Sequence, residues 1–170
     1  MTALLLLLAL SLQDAARLLA DHPVFTAGFR QELATPEGET LKDGGKVRFA
    51  WGKGVRFDYE GKERRSYVFV PDGWYSKTAD GPWDFQPWEE ASAQMEPFLF
   101  ILNGKVPEGT GWTVARRAGT LVIDAPSPSF SLILDAKTGW PRTLKVKQED
   151  GSVNTLEFKG HKAGAEGVLP

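Results

Sequence analysis

GKVRFAWGKGVRFDYE, residues 45–60, is the stretch that decides the fold. Its large apolar side chains all stand at odd positions, whereas nearly every charged side chain stands at an even one. Successive side chains of a β-strand point to opposite faces, so the alternation predicts a sheet with one apolar and one solvated face. Gly44-Gly45 and Gly52-Lys53-Gly54 are both interpreted as turn glycines of hairpins, and the second supplies the turn between two strands. The predicted apolar face contains Val47, Phe49, Trp51, Val55, Phe57 and Tyr59.

A sheet face with this many aromatic side chains must be covered. The cover can be the protein's own helices, a partner protein or an apolar ligand, since each removes apolar surface from water. The sequence leaves these three alternatives open at this point. Choosing among them is most of the functional question.

Composition limits the classes of protein to which this chain can be assigned. The 170 residues, 42% of them hydrophobic, are enough for one globular domain with a substantial core. Twenty basic residues stand against 22 acidic ones with no basic stripe, so we expect no nucleic-acid partner. The absence of cysteine excludes disulfides, thiolate nucleophiles and thiolate metal sites.

An apolar run from Ala3 to Leu12 opens the chain. At about ten residues it is too short to span a bilayer as a helix and is typical of the core of a signal peptide. Ala9 and Ser11 have the spacing of a cleavage site, so residues 1–11 are predicted to be a signal peptide and the mature protein to be exported. A basic segment before the run is missing. The alternative is that the run begins a buried helix.

Further segments extend the alternation through most of the chain. Helical spacing from Leu12 to His22, ended by Pro23, precedes the strands, and a second helical pattern runs from Glu89 to Asn103. The other predicted strands are 25–33, 65–70, 74–77, 112–116, 120–125, 130–135, 142–148 and 153–159. A long antiparallel sheet must curl. We therefore expect a mainly β domain with some α, residues 12–160: an unclosed half-barrel of about ten to eleven strands with helices over its concave apolar face. A flexible tail, 161–170, is expected to follow.

Short segments at consistent spacing run in order from about Asp14 to Gly160. They comprise Phe25-Thr26-Ala27-Gly28-Phe29-Arg30-Gln31, Gly45 opening a strand, Val55-Arg56-Phe57-Asp58-Tyr59, Val70-Pro71-Asp72-Gly73, Pro97-Phe98-Leu99-Phe100, Phe130 to Asp135, Lys137 to Arg142, and Asn154-Thr155-Leu156-Glu157-Phe158. The ordered set resembles the periplasmic outer-membrane lipoprotein carrier protein LolA family.

This resemblance implies a carrier without enzyme chemistry or cofactors. Its cargo would be acylated lipoproteins, received from an ATP-driven donor complex in the inner membrane and passed to an outer-membrane acceptor, and we expect a monomer. Family members often carry an Arg-Pro pair whose arginine ties a helical lid shut, but this chain has Trp51 and Gly52 there. Lys53, Arg48 or Arg56 would have to replace that arginine, or Trp51 would close the lid by packing.

The predicted acyl-chain site consists of a floor and a lid. The floor residues are Phe29, Phe49, Trp51, Val55, Phe57 and Tyr59, and the lid residues are Phe98, Leu99, Ile101 and Leu102. Acyl chains require broad apolar area and no directional partners, which these side chains offer. The alternative for every one of them is an ordinary hydrophobic core.

The segment from Trp83 to Glu90 combines aromatic and acidic side chains. It predicts a loop held down by its tryptophans; the alternatives are a docking surface, as in an envelope-stress sensor or interaction module, and a glycan-active enzyme using Asp84 with Glu89 or Glu90. His22 and His161 lie far apart in sequence and have no metal-ligand spacing. We therefore expect no catalytic residue and no metal site.

Overall fold

A computed structural model describes residues 11–88, 101–102, 104, 111–125, 130–164 and 167–170. It contains helix α1 and eleven strands, β1 to β11. Their bounds are α1 Leu12–Asp21, β1 Val24–Ala34, β2 Thr40–Ala50, β3 Gly54–Tyr59, β4 Arg65–Val70, β5 Gly73–Thr78, β6 Asp84–Pro87, β7 Thr113–Arg117, β8 Thr120–Ala125, β9 Phe130–Asp135, β10 Pro141–Lys147 and β11 Val153–Ala163.

All eleven strands form one antiparallel sheet in the order β6-β5-β4-β3-β2-β1-β11-β10-β9-β8-β7. Neighbours in the sheet are neighbours in the chain except where β1 pairs with β11 at the centre. The edge strands β6 and β7 are not joined, so the sheet is unclosed. The predicted mainly β fold with an unclosed antiparallel sheet is therefore confirmed.

The hairpin of β2 and β3 has the register that the alternation predicts. Val47 lies opposite Phe57, and Phe49 lies opposite Val55. Side chains directly opposite each other share one face of a sheet. The odd-numbered apolar residues of both strands therefore lie together, with Gly52 in the turn at a φ of 73°.

Two glycines expected at the start of this hairpin lie instead inside β2, which begins five residues earlier, at Thr40. A Cβ at Gly45 would stand 1.9 Å from the backbone oxygen of Asp58, and one at Gly44 would stand 2.7 Å from that of Phe29. Neither position has room for a side chain, because the neighbouring backbones approach too closely. The prediction that Gly44 and Gly45 are turn residues was wrong.

The structure also differs from the sequence prediction at two segments. Residues 84–87, predicted as part of a loop, form strand β6 at the sheet edge. The final strand continues to Ala163, past the predicted domain end at Gly160, so the predicted tail does not begin at His161. Beyond it, Val168 is buried and Arg56 donates a hydrogen bond to the carbonyl oxygen of Gly167.

Helix α1 confirms the first predicted helix. Ser11 is its N-cap, and a capping box joins the Ser11 and Asp14 side chains to each other's backbone N–H groups. Ala15 and Leu19 are fully buried against the sheet. The predicted signal peptide lies almost wholly outside the described residues. Cleavage after Ser11 would remove the residue that caps the helix.

The predicted mid-chain helix lies mostly outside the described residues, including Phe98 and Leu99. Ile101 and Leu102 are described, and both are helical. Leu102 is completely buried in the hydrophobic core. None of the described helices is both long enough and apolar enough to cross a membrane.

Candidate functional site

The inward side of the sheet carries a continuous surface that we call the apolar face. Its buried members from the central strands are Phe25, Ala27, Phe29, Val47, Phe49, Val55, Phe57, Leu132, Leu134, Leu144, Leu156 and Phe158. The rings of Phe57 and Phe158 lie 6.4 Å apart although two strands separate them in the sheet. Three strand spacings would place them about 14 Å apart on a flat sheet. The apolar face is therefore concave.

One end of the apolar face, which we call the closed end, is covered by α1. There Phe25 stacks on Phe49 with ring centroids 5.0 Å apart, and Trp140 lies 5.4 Å from Phe25. The indole nitrogen of Trp140 donates a 2.9 Å hydrogen bond to the carbonyl oxygen of His22, just after the helix. Phe25, Phe49 and Leu19 are each 1% exposed. The closed end is an ordinary packed core.

The other end, which we call the open end, contains a pocket of about 520 Å³. This volume lies within the range of small-molecule sites. Its lining is Gln31, Phe57, Tyr59, Glu63, Arg65, Tyr67, Phe69, Asn154 and Leu156. The open end therefore combines an apolar wall with a polar rim.

Half-buried aromatic rings form the β3–β4 wall of the open end. Tyr59 and Tyr67 meet edge to face at 5.8 Å, and Tyr67 continues to Phe69 at 6.4 Å. Phe69 lies nearly parallel to Trp88 at 6.2 Å, with an interplanar angle of 8°. These rings pack against one another, yet each keeps part of its surface exposed.

A chain of hydrogen bonds crosses the rim of the pocket. The Tyr59 hydroxyl donates to Oε1 of Gln31 at 2.6 Å, and Nε2 of Gln31 donates to Oδ1 of Asn154 at 3.0 Å. We call these three residues the polar relay. Burial raises the pKa of Tyr59 to about 12, so its hydroxyl stays protonated at neutral pH.

Arg65 lies beside the polar relay. Its guanidinium carbon stands 4.5 Å from the ring centroid of Tyr59, and its Nη2 lies 2.9 Å from Oδ2 of Asp43. The Asp43 carboxylate balances the positive charge of Arg65, and the cation–π contact helps to hold the Tyr59 ring in place. The rim of the pocket is thus ordered before any ligand arrives.

Gly104, two residues after the helical Leu102, lies against Trp51. Gly104 has a φ of 63°, and a Cβ there would lie 3.0 Å from the Trp51 indole nitrogen and 3.1 Å from its Cε2. The positive φ favours glycine, and an added Cβ would fit only if the Trp51 ring moved by a few tenths of an ångström. Trp51 therefore contacts the segment that was predicted to be the lid.

Two arginines considered as replacement latches lie on the outer face of the sheet. Arg48 and Arg56 both pair with Asp58 there, and Ser66 donates to the same carboxylate at 2.7 Å. Burial works to raise the pKa of Asp58, but the hydrogen bonds from Ser66 and Arg56 outweigh it and leave that pKa below its ordinary value. Both guanidinium groups are engaged away from the apolar face, so the latch interpretation was wrong for these two residues.

The predicted floor residues divide between the two ends. Phe29, Phe49, Val55 and Phe57 are at least 94% buried, Tyr59 lines the pocket, and Trp51 is half-buried against Gly104. Sequence reasoning missed the other seven lining residues, Gln31, Glu63, Arg65, Tyr67, Phe69, Asn154 and Leu156. A signal for one of them was available, because Gln31 is the polar residue in the otherwise apolar alternation of β1.

The Trp83–Glu90 segment is held down by its tryptophans. The Trp83 ring centroid lies 5.3 Å from the Arg56 guanidinium carbon and 5.9 Å from Lys77 Nζ. The Trp88 indole donates to the carbonyl oxygen of Val70 at 2.9 Å. Asp84 is exposed and accepts a hydrogen bond from Gln86. The two glutamates of the enzyme hypothesis lie outside the described residues, and the described ones contain no metal-ligating cluster.

Comparisons with known proteins point in one direction. No family model matches the chain. It is 25% identical over 154 residues to an outer-membrane lipoprotein carrier protein from Vibrio campbellii, a match that covers 82% of this chain and 70% of the relative. The carrier of the same name from Vibrio parahaemolyticus is 26% identical over 160 residues, covering 86% and 73%.

The fold gives a second line of comparison. A crystal structure of a LolA superfamily protein from Nitrosomonas europaea superposes with a TM-score of 0.50, covering 94% of this chain and 93% of that one at 9% identity. At this identity the likeness concerns the fold alone. By sequence and by fold together, the chain resembles the outer-membrane lipoprotein carrier protein LolA family.

Proposed function

We propose that this protein is a periplasmic carrier that holds the acyl chains of lipoproteins against its apolar face and moves them from the inner to the outer membrane. The observation that supports this most is the open end, a pocket of about 520 Å³ walled by half-buried aromatic rings and continuous with the hydrophobic core. The relatives support it too, since they are named carriers rather than enzymes. The proposed activity is binding and release, with no bond made or broken.

Affinity is easily reached on such a surface. Each buried CH₂ contributes roughly 0.8 kcal/mol, so one chain of about fourteen carbons gains on the order of 10 kcal/mol before the costs of association. Release is the harder step. A carrier can balance the affinity by covering the empty apolar face with its own side chains, which the ligand must then displace.

Leu102 and Trp51 supply that competing cover. Leu102 is fully buried in the core cluster, and the segment that carries it ends at Gly104 against the Trp51 indole. We propose that Trp51 holds this segment by packing, as the latching arginine does in the family. The three acyl chains of a triacylated lipoprotein need more room than the pocket of about 520 Å³ at the open end offers. A full cargo would therefore displace the segment from the apolar face.

The remaining parts of the proposal concern location and partners. The mature domain would begin near α1, after removal of a signal peptide, and would act as a monomer. A donor complex in the inner membrane would supply the lipoprotein, and an outer-membrane acceptor would receive it. The hydrophobic run that precedes Ser11 and the names of the relatives support this part.

Two tyrosines on adjacent strands provide a matched test. Tyr67 on β4 lines the pocket, whereas Tyr75 on β5 lies on the outer face opposite Val68, and both are half-buried. Titration with a fluorescent fatty-acid analogue should show that Tyr67→Glu abolishes binding, because a carboxylate would stand in the apolar wall, while Tyr75→Glu retains it. Equal affinities for both variants, or no binding by the folded wild-type protein, would contradict the proposal. Circular dichroism confirms folding in each case.

A further inference from the structure

We infer that the polar relay of Gln31, Tyr59 and Asn154 is a binding site for the uncharged ester head of a glycerol-linked lipid. This inference rests on the proposed function, because it places the head of the same lipid whose chains occupy the apolar face. It adds a chemical class: neutral glycerol esters rather than free fatty acids or phosphate-bearing heads.

The polar relay lies where polar side chains interrupt the inward-facing apolar residues of three strands. On β1 the inward side chains run from Phe29 to Gln31, on β3 from Phe57 to Tyr59, and on β11 from Leu156 to Asn154. In each pair the first residue is buried and the second is half-buried at the pocket. A lipid with its chains along the buried residues would have its head at this level.

Gly45 allows the relay to form across a strand. It lies opposite Phe29 on one side and Tyr59 on the other. With no side chain between them, the Tyr59 ring reaches Phe29 at 5.0 Å and its hydroxyl reaches Gln31. The close backbone approach at Gly45 thus positions the relay.

The relay has hydrogen-bond donors to spare. Tyr59, Gln31 and Asn154 together carry five side-chain donors, and the two bonds of the relay use two of them in either orientation of the amides. No described side-chain nitrogen or oxygen is both buried and without a partner, so the Asn154 amide nitrogen, which donates no bond within the relay, is accessible at a residue that lines the pocket. Ester carbonyl oxygens are acceptors only, which matches an accessible donor there.

Charge at the rim favours an uncharged head. The Arg65 guanidinium is paired with Asp43 at 2.9 Å, which leaves the exposed Glu63 carboxylate as the uncompensated charge among the ionised lining groups. A fatty-acid carboxylate or a phosphate would meet a like charge and no unpaired cation there. An ester would meet neither penalty.

Replacing ester oxygens by ethers tests the site while keeping the chains. A diacylglycerol and the dialkyl ether of the same chain lengths are titrated against the wild-type protein, each competing with the fluorescent fatty-acid analogue. Two hydrogen bonds to ester carbonyls should give the diester about tenfold higher affinity. A methyl ester should likewise bind more tightly than the free acid of the same length.

Variants of the relay carry the decisive comparison. Gln31→Leu and Asn154→Leu should lose the preference for the ester and keep the affinity for the ether, whereas Gln86→Leu, at an exposed glutamine on β6, should keep both. Tyr59→Phe removes only a hydroxyl and serves if either leucine variant fails to fold.

Each contrary outcome has a separate meaning. Equal wild-type affinities for diester and diether, or an ester preference that persists in the relay variants, would overturn the head-group site and leave the carrier proposal standing. Binding of neither lipid by folded protein would overturn both.

Discussion

The two ends of the apolar face are built from the same strands in the same alternation, yet they differ in what covers them. At the closed end α1 and Trp140 cover Phe25 and Phe49, which are each 1% exposed. At the open end the rings of Tyr59 and Tyr67 stay half-exposed around a pocket. The closed end is fully packed, whereas the open end leaves apolar surface exposed.

The difference arises from what each end of the strands offers. Helix α1 runs into β1 through His22 and Pro23, so it can cover only the end of the sheet where β1 begins. Toward the other end of β1 the inward residue becomes Gln31, which hydrogen-bonds instead of packing. A stable β-domain can thus keep an exposed apolar surface because half of its apolar face is a complete core.

The largest expected effect is the difference in stability between a variant that truncates a core ring and one that truncates a pocket ring. Phe25→Ala should lower the free energy of unfolding by about 3–5 kcal/mol, since it leaves a cavity in a packed cluster. Tyr67→Ala should cost about 1 kcal/mol, because that ring is already partly exposed. Urea denaturation of both variants measures this. Equal losses would mean that the open end is core as well.

A second effect concerns the cover that includes Leu102. Gly104→Ala should destabilise the protein by about 2 kcal/mol and raise its affinity for an acyl probe, because the new Cβ is strained at a positive φ and crowds Trp51, which weakens the closed state. Urea denaturation and probe titration measure the two changes.

Gly119→Ala is the matched control for this effect. Gly119 has a φ of 80°, and nothing lies within 4 Å of the place that an added Cβ would occupy. This variant therefore carries the backbone strain without crowding a neighbour. It should lose less stability and leave probe affinity unchanged. A rise in affinity in the control as well would remove Trp51 from the explanation.

The smallest effect expected is a pH dependence confined to the closed end. His161 lies 5.3 Å from the Phe25 ring and stacks on Trp140 at 5.7 Å. Burial lowers the pKa of His161 below its ordinary 6.5, although its contact with the carbonyl oxygen of Pro141 and the charge of Asp135 act the other way and Arg142 adds to the lowering. The unfolded chain therefore binds the proton more readily than the folded one.

The sign of this dependence follows by linkage. The contribution of His161 to stability is complete above pH 6.5 and is lost as the pH falls through 6.5 toward the lower folded pKa. Unfolding midpoints at pH 8 and pH 5 should show this loss, and His161→Gln should reduce it. The affinity for an uncharged acyl ester probe should change little over the same range, since Tyr59 at the open end stays protonated. An undiminished loss in the variant would assign the dependence to another group.

Alternation in the sequence predicted which face each side chain occupies, because a period of two is a local property of a strand. It placed Phe49 and Val55 on one face on either side of the Gly52–Gly54 turn, and the structure pairs them directly. It could not predict how deeply each side chain along a strand is buried. Phe57 and Tyr59 are equivalent in the pattern, but the first is 6% exposed and the second lines the pocket.

The site itself depends on contacts that no local pattern contains. Gln31 and Asn154 are 123 residues apart in sequence and meet only because β1 pairs with β11. The glycines inside β2 carry the same local signal as turn glycines, since both uses exploit a missing side chain. Arg48 and Arg56 could be placed on the outer face by alternation, but their shared partner Asp58 follows from the register of β2 and β3.

The central claim is that the apolar face carries the acyl chains of a lipoprotein. Its most direct test mixes the purified protein with vesicles that contain a triacylated lipoprotein, removes the vesicles, and examines the soluble fraction by native mass spectrometry. The account predicts a one-to-one complex with the acylated lipoprotein and none with the same polypeptide after deacylation. Absence of a complex while the protein remains folded, or equal binding of the deacylated polypeptide, would contradict it.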